Sequence, residues 1–279
     1  MTADSAYPAP AKLNLTLRIT GRRADGYHTL QTVFRFIDFG DTLRLTPRED
    51  GVIARVNDVP GVPAADDLTL RAARLLQRIG ATRFGADIAL AKRLPVGGGL
   101  GGGSSDAATV LIALNRLWGL DLPRSRLQEL ALELGADVPV FVFGESAVGE
   151  GVGEKLTALA LPPAWYLVLI PAVSVATARI FQDPDLIRDS NPTKIPPFSV
   201  ASGQNDLEPV VCRHYPEVAR HLAWLKQFGA ARMTGSGACV FAEFGAEAEA
   251  QAVLGQLPAT MHGVVARGLD RHPLWPMGV

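Results

Sequence analysis

Polar and apolar residues alternate strictly along Lys12-Leu-Asn-Leu-Thr-Leu-Arg-Ile-Thr20. Leu13, Leu15, Leu17 and Ile19 share one face, and Lys12, Asn14, Thr16 and Arg18 share the other. This pattern predicts a half-buried strand with a polar face. A Gly- and Arg-rich turn over 21–26 leads to a second strand at His28–Asp38. Short strands at 41–46 and 52–56 complete an expected β-meander. The period then changes. Leu68, Ala72, Leu75, Leu76 and Ile79 fit a helix capped by Asp66 or Asp67 and stopped by Gly80. A strand over 86–94 follows, and a helix from Ala107 places Val110, Leu111, Leu114, Leu117 and Trp118 on one face before Gly119. Pro123 opens another helix, ended by Gly135. The apolar run 140–143 predicts a strand, and 144–153 a glycine-rich loop.

From Lys155 the pattern restarts. Strands are expected at 166–170, 231–234, 239–244 and 263–266. Helices are expected at 177–181, 206–214, 216–228 and 247–257, with a proline-rich irregular stretch over 183–197. Antiparallel strands first and αβ alternation later indicate an α+β protein. We expect two domains, 1–154 and 155–279, the last residues being able to pack back on the first.

One stretch stands out for chemistry. Between Gly97 and Gly103 six of seven residues are glycine, with Ser104 and Ser105 next and a helix beyond. Such a loop lets backbone approach an anion closely, and the unpaired N–H groups of the first helical turn point at it. Ser104 and Ser105 can add hydroxyl contacts and cap the helix. Gly97, Gly99 and Gly102 satisfy G-x-G-x-x-G, but no strand intervenes before Asp121, as a dinucleotide fold would need. Gly103 is followed by Ser-Ser with no lysine, so a Walker A loop is excluded. A tight turn with no ligand would not need so many glycines.

Composition narrows the field. The 279 residues carry a net charge of −1, which gives no basic excess for nucleic acid. Cys212 and Cys239 lie far apart and form no metal-binding pair. No basic–apolar leader opens the chain, and its longest apolar run, 165–173, is strand-sized, so no membrane partner and a cytoplasmic location are expected. Nothing in the pattern selects between a monomer and a homodimer.

Pro95-Val-Gly-Gly-Gly-Leu-Gly-Gly-Gly-Ser-Ser-Asp-Ala-Ala108 resembles the P-x-x-x-G-L-G-[SG]-S-S-x-A-A motif of the GHMP kinases, a family that includes galactokinase, homoserine kinase and mevalonate kinase. It has one extra glycine. Pro10-Ala-Lys-Leu-Asn-Leu, Arg22-Arg-Ala-Asp-Gly-Tyr-His28, Gly135-Ala-Asp-Val-Pro139, Asn205-Asp-Leu-Glu208 and Met233-Thr-Gly-Ser-Gly-Ala238 are similar to that branch of the family whose substrate is a cytidylyl sugar alcohol. The resemblance implies a two-domain GHMP kinase architecture. Its N-terminal domain would be ribosomal-protein-S5-like and its C-terminal domain ferredoxin-like. It implies phosphoryl transfer from ATP, with Mg2+, to the 2-hydroxyl of that alcohol.

By the same resemblance Asp137 takes the hydroxyl proton, and Lys12 beside it stabilises the transferring group. Pro95, Val96, Gly97, Gly98, Gly99, Leu100, Gly101, Gly102, Gly103, Ser104 and Ser105 would bind the ATP phosphates. Lys92 and Asp67 would lie near adenine. The family often has Asn at the Asp67 position, and a carboxylate only accepts hydrogen bonds. Tyr27 and Phe181 would stack on the pyrimidine and His28 read its edge, with Asn14, Phe34, Val152 and Thr177 nearby. Gly235 and Ser236 would close over the site. No protein metal ligand is implied. Another small alcohol as substrate, or a non-catalytic sensor on the same fold, are the alternative readings.

Overall fold

The computed structural model describes residues 6–192 and 203–277. The last five residues of the irregular stretch expected over 183–197 therefore lie outside the described residues.

Strand β1 (Ala6–Arg22) and strand β2 (His28–Arg48) form a long antiparallel pair. The two strands expected at 28–38 and 41–46 are one strand with a local irregularity. Its register against β1 shifts between Pro10, opposite Gly40, and Ala11, opposite Ile37. A Cβ at Gly40 would collide with the Ala9 carbonyl oxygen, so glycine permits the close approach of the two backbones there.

The meander stops after this pair. Strand β3 (Ile53–Arg55) lies parallel to β4 (Gly85–Ala91), and β4 lies between β3 and β2. Helix α1 (Leu68–Ile79) makes the crossover that parallel neighbours need. Alternation marks a strand's faces but not its neighbours, so the meander expectation had no physical basis beyond proximity in sequence. As expected, Asp67 caps α1, accepting from the Thr69 N–H at 2.8 Å.

Helix α2 (Gly102–Leu117) starts five residues earlier than its apolar face suggests, and Gly101 occupies the N-cap. Ser104 and Ser105 therefore sit inside the first turn and do not cap it. Helix α1 packs on α2, and the Trp118 indole donates to the Gly85 carbonyl at 3.1 Å, pinning the end of α2 to β4. Helix α3 (Arg124–Leu134) follows as expected.

The run expected as a strand over 140–143 is helix α4 (Val138–Phe143), closed by left-handed Gly144. A short, wholly apolar run has no diagnostic period. Here Pro139 in the first turn, and burial against α2 and α3, favour the helix. The glycine-rich segment after it contains strand β5 (Ala147–Glu150), paired with β6 (Lys155–Ala158). The domain division at 154/155 falls inside this hairpin.

The second half comprises β7 (Trp165–Leu169), α5 (Thr177–Gln182), α6 (Glu208–His214), α7 (Pro216–Leu225), β8 (Ala231–Met233), β9 (Val240–Phe244), α8 (Glu247–Leu254) and β10 (Gly263–Leu269). Its strand order, β10-β7-β9-β8, with helices between β7 and β8 and between β9 and β10, is ferredoxin-like. Strand β10 also pairs with β2, through Gly268–Ile37 and Leu269–Phe36. The chain after β10 returns further, where the Arg124 guanidinium donates to the Trp275 carbonyl at 2.5 Å. The two halves thus share one continuous sheet.

The fit at Gly40 is testable. Gly40→Ala should lower unfolding stability by about 1–3 kcal/mol through backbone collision. Urea denaturation with an unchanged midpoint would contradict the close approach.

Candidate active site

The glycine loop runs from the end of β4 to Gly101. Gly99 and Gly101 have φ of 77° and 73°, which side chains resist. Space excludes side chains as well. A Cβ at Gly99 would strike the Thr234 carbonyl, and one at Gly101 would stand 2.9 Å from the Phe141 ring. The first hydrogen bond of α2 runs from Ser105 N–H to the Gly101 carbonyl at 2.8 Å. The N–H groups of Gly102, Gly103 and Ser104 precede it and are free to meet an anion at the positive end of the helix. Backbone bonds hold the loop from both sides. Lys12 N–H donates to the Leu100 carbonyl and Cys239 N–H to the Gly98 carbonyl, each at 3.0 Å.

A cavity of about 440 Å³ opens over this loop, bounded by Gly61, Val62, Pro63, Leu68 and Lys92. A second, of about 910 Å³, is lined by Lys12, Asn14, Tyr27, His28, Phe34, Val152 and Phe181. The two meet. Gly99, Ser104, Asp137, Thr177 and Ser236 line both. Leu100 and Ser105, expected along the loop's binding surface, are buried instead and line neither cavity. Leu100 contributes its carbonyl to Lys12, and Ser105 Oγ has no hydrogen-bond partner among the described residues.

Asp137 stands at the junction, as the N-cap residue of α4 rather than at the head of a strand. Its Oδ2 lies 3.1 Å from Lys12 Nζ; the lysine is 2% exposed and the aspartate 40%. Lys12 Nζ also donates to Asn14 Oδ1 at 2.6 Å. Asn14 in turn donates to Thr32 Oγ1 at 2.8 Å, and its backbone N–H meets Thr234 Oγ1 at 2.9 Å. The polar face of β1 is thus buried, not solvated as its alternation alone implies. Residues from α4 and the second half cover it.

At the far end of the larger cavity His28 packs on Phe181, with ring centroids 5.1 Å apart and planes tilted by 32°. Tyr27 is 65% exposed at the rim. Thr177 and Ser236 hydroxyls lie 2.8 Å apart across the cleft. Asn205 holds the Gly235 turn by donating to its carbonyl at 2.8 Å and to that of Met233 at 2.9 Å.

Comparison with known proteins places this geometry. Residues 67–145 match the family described as GHMP kinases N terminal domain, and residues 195–263 match GHMP kinases C terminal. The chain belongs to the GHMP kinase family. It is 62% identical over 275 residues to a 4-diphosphocytidyl-2-C-methyl-D-erythritol kinase of Nitrosospira multiformis, covering 98% of this chain and 94% of the relative. With the enzyme of that name from Thiobacillus denitrificans it shares 64% over 272 residues, 98% of each chain. Among solved structures, a crystal structure of 4-(cytidine 5'-diphospho)-2C-methyl-D-erythritol kinase matches with a TM-score of 0.81 at 33% identity, over 95% of this chain and 99% of that one. A homoserine kinase from Cytophaga hutchinsonii matches at 0.70 and 16% identity, over 98% and 96% of the two chains, a likeness of fold alone.

The setting of one lysine in this GHMP kinase was not legible in the sequence. Lys92 is not free over the smaller cavity. Its ammonium is clamped between Asp41 at 2.6 Å and Asp106 at 2.7 Å. Asp41 also accepts from the N–H groups of Arg93 and Leu94, which fixes the entry to the loop. The adjacency of Asp106 to Ser-Ser was the only available signal. Asp67 lines the cavity, but its oxygens already serve Thr69 and the Arg55 guanidinium, 2.9 Å away. Its role in the structure is therefore that of a cap.

Burial raises Asp106 to about 7, helped by the Asp41 charge and opposed by Lys92. Lys92 itself is raised, because its two carboxylates outweigh the effect of burial. A carboxylate whose folded value exceeds its unfolded one binds more protons in the folded state, so stability falls as pH rises. Asp106 should therefore cost stability progressively between the ordinary value of 3.8 and about 7. Thermal melts across that window should fall less steeply for Asp106→Asn than for the wild type. Parallel curves would contradict the assignment.

Proposed function

We propose that this chain transfers the γ-phosphoryl group of ATP to the 2-hydroxyl of 4-diphosphocytidyl-2-C-methyl-D-erythritol. The products are the 2-phosphate and ADP, and the step belongs to the non-mevalonate route to isoprenoid precursors in the cytoplasm. The observation that carries this reading is the junction of a phosphate-loop cavity and an aromatic-ended cavity at the Lys12–Asp137 pair. Full-length identity above 60% to enzymes of that name supports it.

The loop N–H groups and the α2 terminus hold the triphosphate. The alcohol lies in the larger cavity with its 2-hydroxyl at the junction. Kinase chemistry is mostly positioning and charge stabilisation. The hydroxyl oxygen attacks the γ-phosphorus in line, the bond to the β,γ-bridging oxygen breaks, and Asp137 takes the hydroxyl proton. Lys12, held between Asp137 and Asn14, presents positive charge to the moving group. Mg2+ bound with ATP would neutralise charge on the phosphates. The oxygen donors at the junction, Asp137 and Ser104, suit an ion that keeps mainly phosphate and water ligands.

In this reading the pyrimidine stacks on Tyr27 and Phe181, which both line the larger cavity, and stacking contributes about 1–3 kcal/mol. A homoserine- or mevalonate-sized alcohol would leave this aromatic end unused. A sensor would not need a lysine buried against a half-exposed carboxylate.

A phosphoryl-transfer assay across candidate alcohols decides the matter. Turnover on homoserine or mevalonate, with none on the cytidylyl alcohol, would overturn the reading. Asp137→Ala should lower kcat by about 10²–10⁴-fold while ATP still binds, and near-wild-type turnover would remove Asp137 from the chemistry. Tyr27→Ala should raise KM for the cytidylyl alcohol far more than for ATP, and equal effects on both would count against stacking.

A further inference from the structure

Arg188 follows α5 and lines the larger cavity. Its guanidinium is clamped by backbone. Nη1 donates to the Leu186 carbonyl at 3.0 Å, and Nη2 donates to the carbonyls of Phe181 at 3.1 Å and Asp183 at 2.6 Å. With both Nη groups so held, the Nε–H is aimed at His28 Nε2, 3.2 Å away. The backbone carrying Arg188 is itself tied to β1, through the Ser190 N–H and the Ile19 carbonyl at 2.9 Å.

A guanidinium can only donate. His28 Nε2 must therefore accept, and a neutral imidazole that accepts at Nε2 carries its proton on Nδ1. Burial, then the charges of Arg188 and Arg22, hold His28 below the ordinary histidine range, which keeps the ring neutral. His28 Nδ1 makes no hydrogen bond among the described residues, and the ring lines the cavity beside Phe181.

We propose that Arg188 is a positioning residue, holding His28 in the Nδ1–H tautomer so that the pocket selects cytosine over uracil. The inference rests on the cytidylyl reading of this cavity. Cytosine presents an acceptor at ring position 3, whereas uracil carries N–H there. The Nδ1–H donor pairs with the first and opposes the second, leaving two donors unsatisfied in a desolvated site. With the opposite tautomer the preference reverses.

The test has two arms. Nitrogen-15 NMR of the histidine side chains, with His28 assigned by its loss in His28→Gln, should show the proton on Nδ1 in the wild-type protein. A proton on Nε2 overturns the proposal, whether or not any Arg188 variant folds. Kinetics then compare the cytidylyl alcohol with its uridylyl analogue. Arg188→Met should lower the cytidylyl-over-uridylyl ratio of kcat/KM about tenfold or more, mainly through KM. An unchanged ratio, with both substrates weakened alike, would mark Arg188 as structural only and overturn the proposal while leaving the proposed function intact. A wild-type protein that uses neither substrate overturns the function itself, and the selectivity with it.

Discussion

Lys12 carries its ammonium where water has almost no access, and much of the molecule follows from that burial. Desolvating an unpaired ammonium costs several kcal/mol, so its partners must arrive with the fold. Asp137 comes from the start of α4 and Asn14 from the same face of β1. Asn14 is fixed in turn by Thr32 on β2 and by Thr234 from the second half. The backbone N–H of Lys12 sets the height of the glycine loop through Leu100. One buried charge therefore links β1, β2, α4, the loop and the turn after β8. It leaves half-exposed Asp137 at the place where the two cavities meet.

The other charged groups of the cleft divide the work. Beneath the loop Lys92 is neutralised by Asp41 and Asp106, and serves architecture: it anchors the loop entry and the first turn of α2. Over the loop, backbone N–H groups that glycine leaves uncovered face the cavity instead. At the far end Arg188 bonds to carbonyls and to His28. The site thus separates cations that stabilise structure from Lys12, which stands beside a carboxylate at the junction.

The family and the outline of the site were legible in the chain. Asp67 as a cap, Gly80 as a stop and the α3 pattern are local signals, decided within a few residues of themselves. The glycine run is similarly local, because left-handed φ and close approach leave few other residues possible at Gly99 and Gly101. Local reasoning failed where neighbours decide. The 140–143 run became α4 because helices surround it, and β3 left the meander because β4 inserted beside β2. Ser105 and Leu100 turned inward because α2 begins at Gly102, a start that its apolar periodicity does not mark.

By itself the sequence determined which segments are helix or strand wherever period and capping agree, and it determined a loop of uncovered backbone ahead of α2, since glycine conformational freedom is an intrinsic property. Tertiary structure decided what each charge does. Lys12 and Lys92 are both lysines on strands or their ends, and nothing local separates them. One meets a half-exposed aspartate at an open junction and the other two buried carboxylates. Electrostatic roles depend on distance and solvent access, and both are fixed only when segments far apart in the chain pack together.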